Sequence, residues 1–220
     1  MNTTPSPRAF VPAAGHDHWL RFYDPLTKLF GAPAALRALI EQADVQAAQR
    51  VFEIGCGTGN LTVMLKQRHP NADIVALDPD ARALRLARQK AERAHCDIRW
   101  VQGFGDAIPY PDASFDRVFS SFMLHHLTLD EKRATLVDVF RVLKPSGELH
   151  VVDFAGADEQ QRGFIARLLH RDEHLHDNAE GRITTMLEGV GFDAVVRVAT
   201  RSTLFGPISF YRACRGAGGQ

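Results

Sequence analysis

The segment at residues 51–60, Val-Phe-Glu-Ile-Gly-Cys-Gly-Thr-Gly-Asn, constrains the fold more than any other part of the chain. Residues 50–54 have the length and apolar content of a short buried strand. They run directly into a loop with glycine at every second position, Gly55, Gly57 and Gly59. Glycine is required where a backbone bends tightly and touches a ligand with no Cβ in the way. A strand-to-helix turn of this kind is where open α/β sheets bind nucleotide-like ligands, and the following helix directs its unpaired N–H groups to the same point. A dinucleotide fingerprint needs a third glycine where this chain has Asn60, which weighs against a nicotinamide-dependent oxidoreductase.

Signals downstream extend the pattern. Residues 74–77 read as a second buried strand closed by Asp78-Pro79. An acidic residue at that tip, about 20 residues past the glycines, has the spacing of a carboxylate that holds a pair of ribose hydroxyls. Glu53 lies inside a buried strand; an unpaired carboxylate there is costly, so it is expected to accept bonds from loop amides or from a ligand amino group. From Asp80 to about residue 93 the chain reads as an amphipathic helix, with Leu84, Ala87 and Ala91 inward and Arg82, Arg85, Lys90 and Arg93 largely toward solvent. A third strand at 98–102 precedes Gly105-Asp106-Ala107, and a fourth leads through Ser121 to His125 and His126. Thr128-Leu-Asp-Glu131 matches a capping box opening a helix with Leu136, Val137, Phe140 and Leu143 at helical spacing. Lys144-Pro-Ser-Gly147 then reads as a turn, serine at its third position favouring type I.

The run E-x-G-x-G-x-G from Glu53 to Gly59, with these elements in this order over roughly residues 48–154, resembles the class I S-adenosylmethionine-dependent methyltransferases. The resemblance is strongest to their type 11 group, which includes quinone and small-amine methyltransferases. It implies an α/β fold: a Rossmann-like, seven-stranded, mostly parallel sheet with helices on both faces and the last strand antiparallel. It also implies S-adenosylmethionine as cofactor and S-adenosylhomocysteine as product. Glu53, Gly55, Cys56, Gly57, Gly59 and Asn60 would surround the methionine end, and Ser121 would contact it as well. Asp78 with Pro79 would hold the ribose, and Asp106 with Ala107 would face the adenine amino group. Small-amine methyltransferases that this chain resembles use an N-terminal tyrosine and a histidine after the fourth strand, which correspond to Tyr23 and His125. Methyl transfer from a sulfonium is an in-line displacement in which the protein mainly supplies orientation. A base is needed only where the acceptor must lose a proton, and histidine titrates in the right range.

Residues 1–15, with Pro5, Pro7 and Pro12, are expected to form a flexible arm before a single methyltransferase domain at 16–220. Residues 16–45 form a helical cap in this reading, with one helix beginning at Asp24-Pro25 and a second at Pro33. Residues 155–190 form a helical lid. A small-molecule acceptor would lie between them. Trp19, Phe22, Phe30, Phe164 and Leu168 would suit an apolar or aromatic acceptor, and would equally serve as the lid's own core. The last two strands are expected at 195–200 and 208–213, with a turn at 205–207 between them. Lysine plus arginine equals aspartate plus glutamate, 26 against 26, so no basic field invites nucleic acid. Cys56, Cys96 and Cys214 are too scattered for a metal knuckle, and free thiols suit the cytoplasm. No apolar run has the length of a membrane span. His170 and His174 with Asp172 and Glu173 lack the H-E-x-x-H order of a zinc site and read as a solvated helix end. The alternative to an enzyme is a catalytically inactive cofactor-binding or partner subunit with the same fold.

Overall fold

β1 (Arg50–Ile54) carries no exposed side chain, with Val51 and Phe52 fully inaccessible, because it is paired on both edges and covered on both faces. The structure, a computed structural model, describes residues 32–155, 182–203 and 206–217. α1 (Ala32–Ala43) precedes β1, and α2 (Asn60–Arg68), β2 (Asp73–Asp78), α3 (Ala81–Arg93) and β3 (Arg99–Gln102) follow it. Then come β4 (Phe115–Ser121), a 3-10 turn (Leu124–His126), α4 (Leu129–Val142) and β5 (Leu143–Phe154). α5 (Arg182–Val190), β6 (Asp193–Thr203) and β7 (Gly206–Cys214) complete the described chain. The sheet runs β3-β2-β1-β4-β5-β7-β6. β1 to β5 pair in parallel, and β7 lies antiparallel between β5 and β6.

This order fixes where a ligand can sit. From β1 the chain steps outward through β2 to β3, then returns to lay β4 on the other side of β1 and steps the opposite way to β5. Crossovers between parallel strands keep one hand, so the two directions of travel put their helices on opposite faces. Accordingly α1, α2 and α3 bury Leu39, Leu65 and Leu84 against Val51, Ile74 and Phe119. On the other face α4 and α5 bury Leu136, Val139 and Leu187 against Phe52, Ile54 and Val118. Each such side chain contributes about 1.5–3 kcal/mol by leaving water. Between the two sets of crossovers, no helix among the described residues covers the carboxyl ends of β1 and β4, the place where open α/β sheets leave a crevice.

α1 is pinned as well as packed. The Gln42 amide donates to the Tyr211 carbonyl at 3.0 Å and lies 3.1 Å from His150 Nδ1. His150 is fully buried, which pushes its imidazole below the usual histidine range. Its hydrogen bond to Glu148, at 3.2 Å, holds that carboxyl down to about 2.

Several local expectations are corrected. Ser146 has φ +62°, a left-handed conformation that excludes the expected type I turn. Its N–H donates to the Arg215 carbonyl at 2.8 Å, and the segment is drawn into β5 with a register shift against β4. Val137 is 56% exposed, because Thr135, Leu136, Val139 and Val142 form the inner face of α4. Gly206 and Pro207 belong to β7, so they do not form the expected turn. β6 and β7 both exceed their expected lengths. Residues 1–31 and 156–181 lie outside the described residues, as does Phe205. With them lie Tyr23, the expected arm, most of the expected cap and lid, and the His170–His174 pair.

The capping box is present at α4. The Glu131 N–H donates to Thr128 Oγ1 at 3.3 Å, and the Thr128 N–H donates to the Glu131 carboxylate at 3.0 Å. Thr128→Ala should cost about 1 kcal/mol, within the usual range for a lost cap. Urea denaturation followed by circular dichroism checks this, the midpoint falling with an unchanged slope.

Candidate active site at the carboxyl edge of the sheet

The glycine loop is held from β2. The N–H groups of Gly55 and Cys56 donate to the Leu77 carbonyl at 2.8 and 3.0 Å. The Gly57 N–H donates to Asp78 Oδ2 at 2.7 Å, and the other carboxylate oxygen, Oδ1, accepts the Asp80 N–H at 2.9 Å. Asp78 is thus buried at the base of the loop, and burial raises its carboxyl to about 6. Asp80 caps α3 by accepting the Arg82 N–H at 2.7 Å, which leaves Asp78 to the loop.

Two glycines are required by contact as well as by φ. Gly55 has φ +68°, and a Cβ there would run into the Met123 side chain that lies across it. Gly59 has φ +75°, and its Cβ would stand 2.8 Å from Trp100 and 2.9 Å from Ala87. Gly59 therefore lets α3 and β3 close against the loop. It also occupies the N-cap of α2, with no side chain capping that end. Lys90 departs from its expected place in solvent: it donates to Asn60 Oδ1 at 2.5 Å and lies 3.4 Å from Thr58 Oγ1. Asn60 thereby ties α3 to the start of α2.

Glu53 is 1% exposed under this loop. Its partners are hydroxyls and not the expected loop amides: Thr62 donates to one oxygen, and Ser121 donates to the other at 3.3 Å. The amides turn to Leu77 and Asp78 instead. Burial pushes the Glu53 carboxyl up to about 8, outweighing those two bonds, with nearby Asp78 adding and Lys90 opposing. The Cys56 thiol, buried beside both acids, is raised as well. Ser121, expected at the methionine end, is joined to the glycine-loop side of the sheet by this bond to Glu53. Pro79, half-buried, accepts from Gln102 at 3.2 Å through its carbonyl.

On the other side of the crevice, Phe122 follows β4 with φ +51°, a left-handed conformation costing about 1–3 kcal/mol for a bulky residue. Its N–H still pairs with the Val152 carbonyl at 2.9 Å. The bend carries Met123 over Gly55 and brings His125 back onto β5. There His125 Nδ1 lies 2.7 Å from Asp153 Oδ1, and the His125 N–H donates to Asp153 Oδ2 at 3.3 Å. Asp153 is fully buried. Burial opposes its ionisation, but His125, the Phe154 N–H and neighbouring His126 together hold its carboxyl below the usual range. The His125 ring stands edge-on to Phe154 with centroids 5.0 Å apart, and Phe154 packs at 5.4 Å on Phe122.

Asp153 is the residue that the sequence did not single out. Its only local signal is an acidic residue ending an apolar strand, the same cue that identified Asp78. Asp106 and Ala107 lie in a turn beyond β3, closed by the Ala107 N–H on the Phe104 carbonyl at 3.2 Å. Gly105 brings that turn against Ile54 and Thr135, where a Cβ would stand 2.7 and 3.1 Å away. Glu53, Asp78, the glycine loop, Ser121, His125 and Asp153 thus share the carboxyl edge of four adjacent strands, with Asp106 at its flank. Among the described residues no helix is long and apolar enough to cross a membrane.

A methyltransferase-domain family profile matches residues 51–147. A demethylmenaquinone methyltransferase of Deinococcus radiodurans is 33% identical over 183 residues, covering 80% of this chain and 75% of its own. Another from Thermus thermophilus is 34% identical over 149 residues, 66% of this chain and 67% of its own. The crystal structure of a SAM-dependent methyltransferase from Aquifex aeolicus superposes with a TM-score of 0.68 at 18% identity, covering 90% of this chain and 97% of that one. The sheet order, the glycine loop tied to Asp78 and these relatives agree: the chain belongs to the class I S-adenosylmethionine-dependent methyltransferases of the ubiquinone/menaquinone-biosynthesis type, enzymes that methylate small molecules with S-adenosylmethionine as donor.

Proposed function

We propose that the acceptor is the hydroquinone form of a quinone of the demethylmenaquinone kind, with His125 as the base that takes its hydroxyl proton. The carrying observation is the shared carboxyl edge, where the glycine loop and the His125–Asp153 pair face one crevice. An oxidised quinone ring is electron-poor and a weak nucleophile. Its hydroquinone becomes strongly nucleophilic once a hydroxyl proton leaves, and a positioned base accelerates such a step by about 10²–10⁴. Phe122, Phe154 and Met123 beside His125 supply the apolar contacts that an aromatic ring needs. The names of the two relatives support the same class of acceptor. Tyr23, from the N-terminal region, is proposed as a second group at the acceptor. The free thiols support a cytoplasmic setting.

The cofactor site fits S-adenosylmethionine. An uncapped helix N-terminus, a glycine loop in close contact and two buried acids suit a ligand carrying a carboxylate, an ammonium and a ribose. When bound, this group supplies an electrophilic methyl on a positive sulfur. Asp78 would receive the ribose hydroxyls, since each of its oxygens accepts one amide and has a second lone pair. Glu53, joined to Thr62 and Ser121, would face the ammonium, and Asp106 with Ala107 the adenine.

Three measurements test this reading. Calorimetric titration should show S-adenosylhomocysteine binding and no NAD binding, with Asp78→Asn weakening the affinity roughly 10- to 100-fold, as a lost charged hydrogen bond requires. Asparagine is chosen because its one oxygen still accepts the Gly57 or the Asp80 amide, where alanine would release both; unchanged affinity removes Asp78 from the ribose.

The second concerns protons. With its carboxyl raised to about 8, Glu53 is mostly protonated at pH 7 and costs the free protein stability as pH rises from the ordinary carboxylate range through about 8. An ammonium beside it favours the ionised form, so binding at pH 7 should release protons, seen as a dependence of binding heat on buffer ionisation enthalpy. Glu53→Gln should abolish that dependence, and its persistence in the variant would move the ammonium elsewhere.

The third is turnover with a short-chain demethylmenaquinone. Methylation should occur under dithionite and not in air. No product under either condition would overturn the acceptor.

A further inference from the structure

The chemistry proposed for His125 requires one particular form of its ring, and the structure supplies a reason for that form. A neutral imidazole carries its proton on one nitrogen and a lone pair on the other, and only the lone-pair nitrogen can act as base. Asp153 Oδ1 already accepts the Phe154 N–H at 2.7 Å, Oδ2 accepts the His125 N–H, and His125 Nδ1 lies 2.7 Å from Oδ1. A carboxylate is acceptor-only, so Nδ1 must be the donor. A carboxylate with no exposed surface is expensive to keep ionised. The His125 ring, the Phe154 N–H and neighbouring His126 are what hold the Asp153 carboxyl below the usual range against that cost.

Resting on the proposed role of His125, we propose that Asp153 is the positioning residue that fixes His125 as the Nδ1–H tautomer and aims Nε2 at the acceptor. The acceptor hydroxyl proton passes to Nε2, and the positive charge formed on the ring is balanced by the Asp153 carboxylate. As the electron pair released by that O–H bond drives the new carbon–methyl bond, the methyl–sulfur bond breaks and its pair stays on sulfur as a neutral thioether. A hydroquinone methylated on a ring carbon then regains aromaticity as the ring proton at that carbon leaves to solvent and the His125 imidazolium returns its proton to the ring oxygen. Asp153 touches none of these atoms.

The test combines nitrogen-15 NMR of the imidazole side chains with steady-state kinetics on reduced demethylmenaquinone. With S-adenosylhomocysteine bound, at a pH where the ring is neutral, the His125 resonances should report Nδ1–H in the wild type and shift toward Nε2–H in Asp153→Asn. The asparagine oxygen in the Oδ2 position still accepts the His125 N–H, while its NH2 in the Oδ1 position presents an N–H to Nδ1 with loss of the Phe154 N–H bond. Its kcat should fall about 100-fold or more, the range of a lost general base, with little change in KM for S-adenosylmethionine. Asp153→Glu should recover part of the rate. A wild-type ring in the Nε2–H form, or an Asp153→Asn enzyme with unaltered tautomer and rate, overturns the proposal. His125→Ala at the wild-type rate instead overturns the role of His125 as base, whichever tautomer the wild-type ring holds, so the two failures are told apart.

Discussion

The hydrogen bond from the Gly57 amide to the Asp78 carboxylate joins the two halves of the proposed cofactor site. One partner belongs to the loop after β1 and the other to the tip of β2. The loop backbone is left-handed at Gly55 and Gly59, a shape glycine allows but does not enforce. Enforcement comes from β2, through the Leu77 carbonyl on two amides and the Asp78 carboxylate on a third. The same carboxylate fixes the entry to α3 by accepting the Asp80 amide. α3 in turn closes over Gly59 with Ala87 and reaches Asn60 with Lys90. The loop, the β2 tip and two helix starts therefore form one mechanical unit.

Most of this unit is legible in the sequence because its cues are local. β1 appears over the residues expected, and the capping box at Thr128 and Glu131 is present in both its bonds. Glycine spacing, an acidic strand tip and a threonine three before a glutamate are patterns that backbone geometry forces on neighbouring residues. What was not legible depends on contacts between distant segments. Ser146 takes a left-handed φ because Arg215, 69 residues away, pairs with it and its neighbour. Lys90 has the periodicity of a solvent-facing position, yet its long side chain folds back onto a loop 30 residues earlier. Val137 fits the helical period of α4, but the buried face is centred on Leu136 and Val139.

Asp153 and Asp78 have the same sequence signature, an aspartate ending an apolar strand, and opposite partners. Asp78 ends β2, the neighbour of β1 on one side, and so meets loop amides. Asp153 ends β5, beside β4, and so meets the turn that carries His125. The difference is not in the local sequence but in the strand order, which a single chain does not disclose without its fold. Given that order, the acid nearer β1 falls to the glycine loop, where the cofactor is proposed to bind, and the acid beyond β4 to the His125 turn, where the acceptor is proposed.

The two ends also differ in how their charge is handled. Glu53 and Asp78 are both raised by burial, with amides, hydroxyls and a distant Lys90 around them. They form a region that is short of positive charge, which a sulfonium and an ammonium would supply. Asp153 is equally buried but stays ionised, because an imidazole already stands against it. An enzyme that brings a cationic methyl donor to a base must keep that base from binding the donor's charge itself. A carboxylate hydrogen-bonded in advance to its own histidine does so: Oδ1 is already occupied by the His125 ring and the Phe154 N–H, and Oδ2 by the His125 N–H, which under the proposed role leaves Nε2 for the acceptor. The bend at Phe122, strained in φ, is what the chain spends to set these two environments side by side.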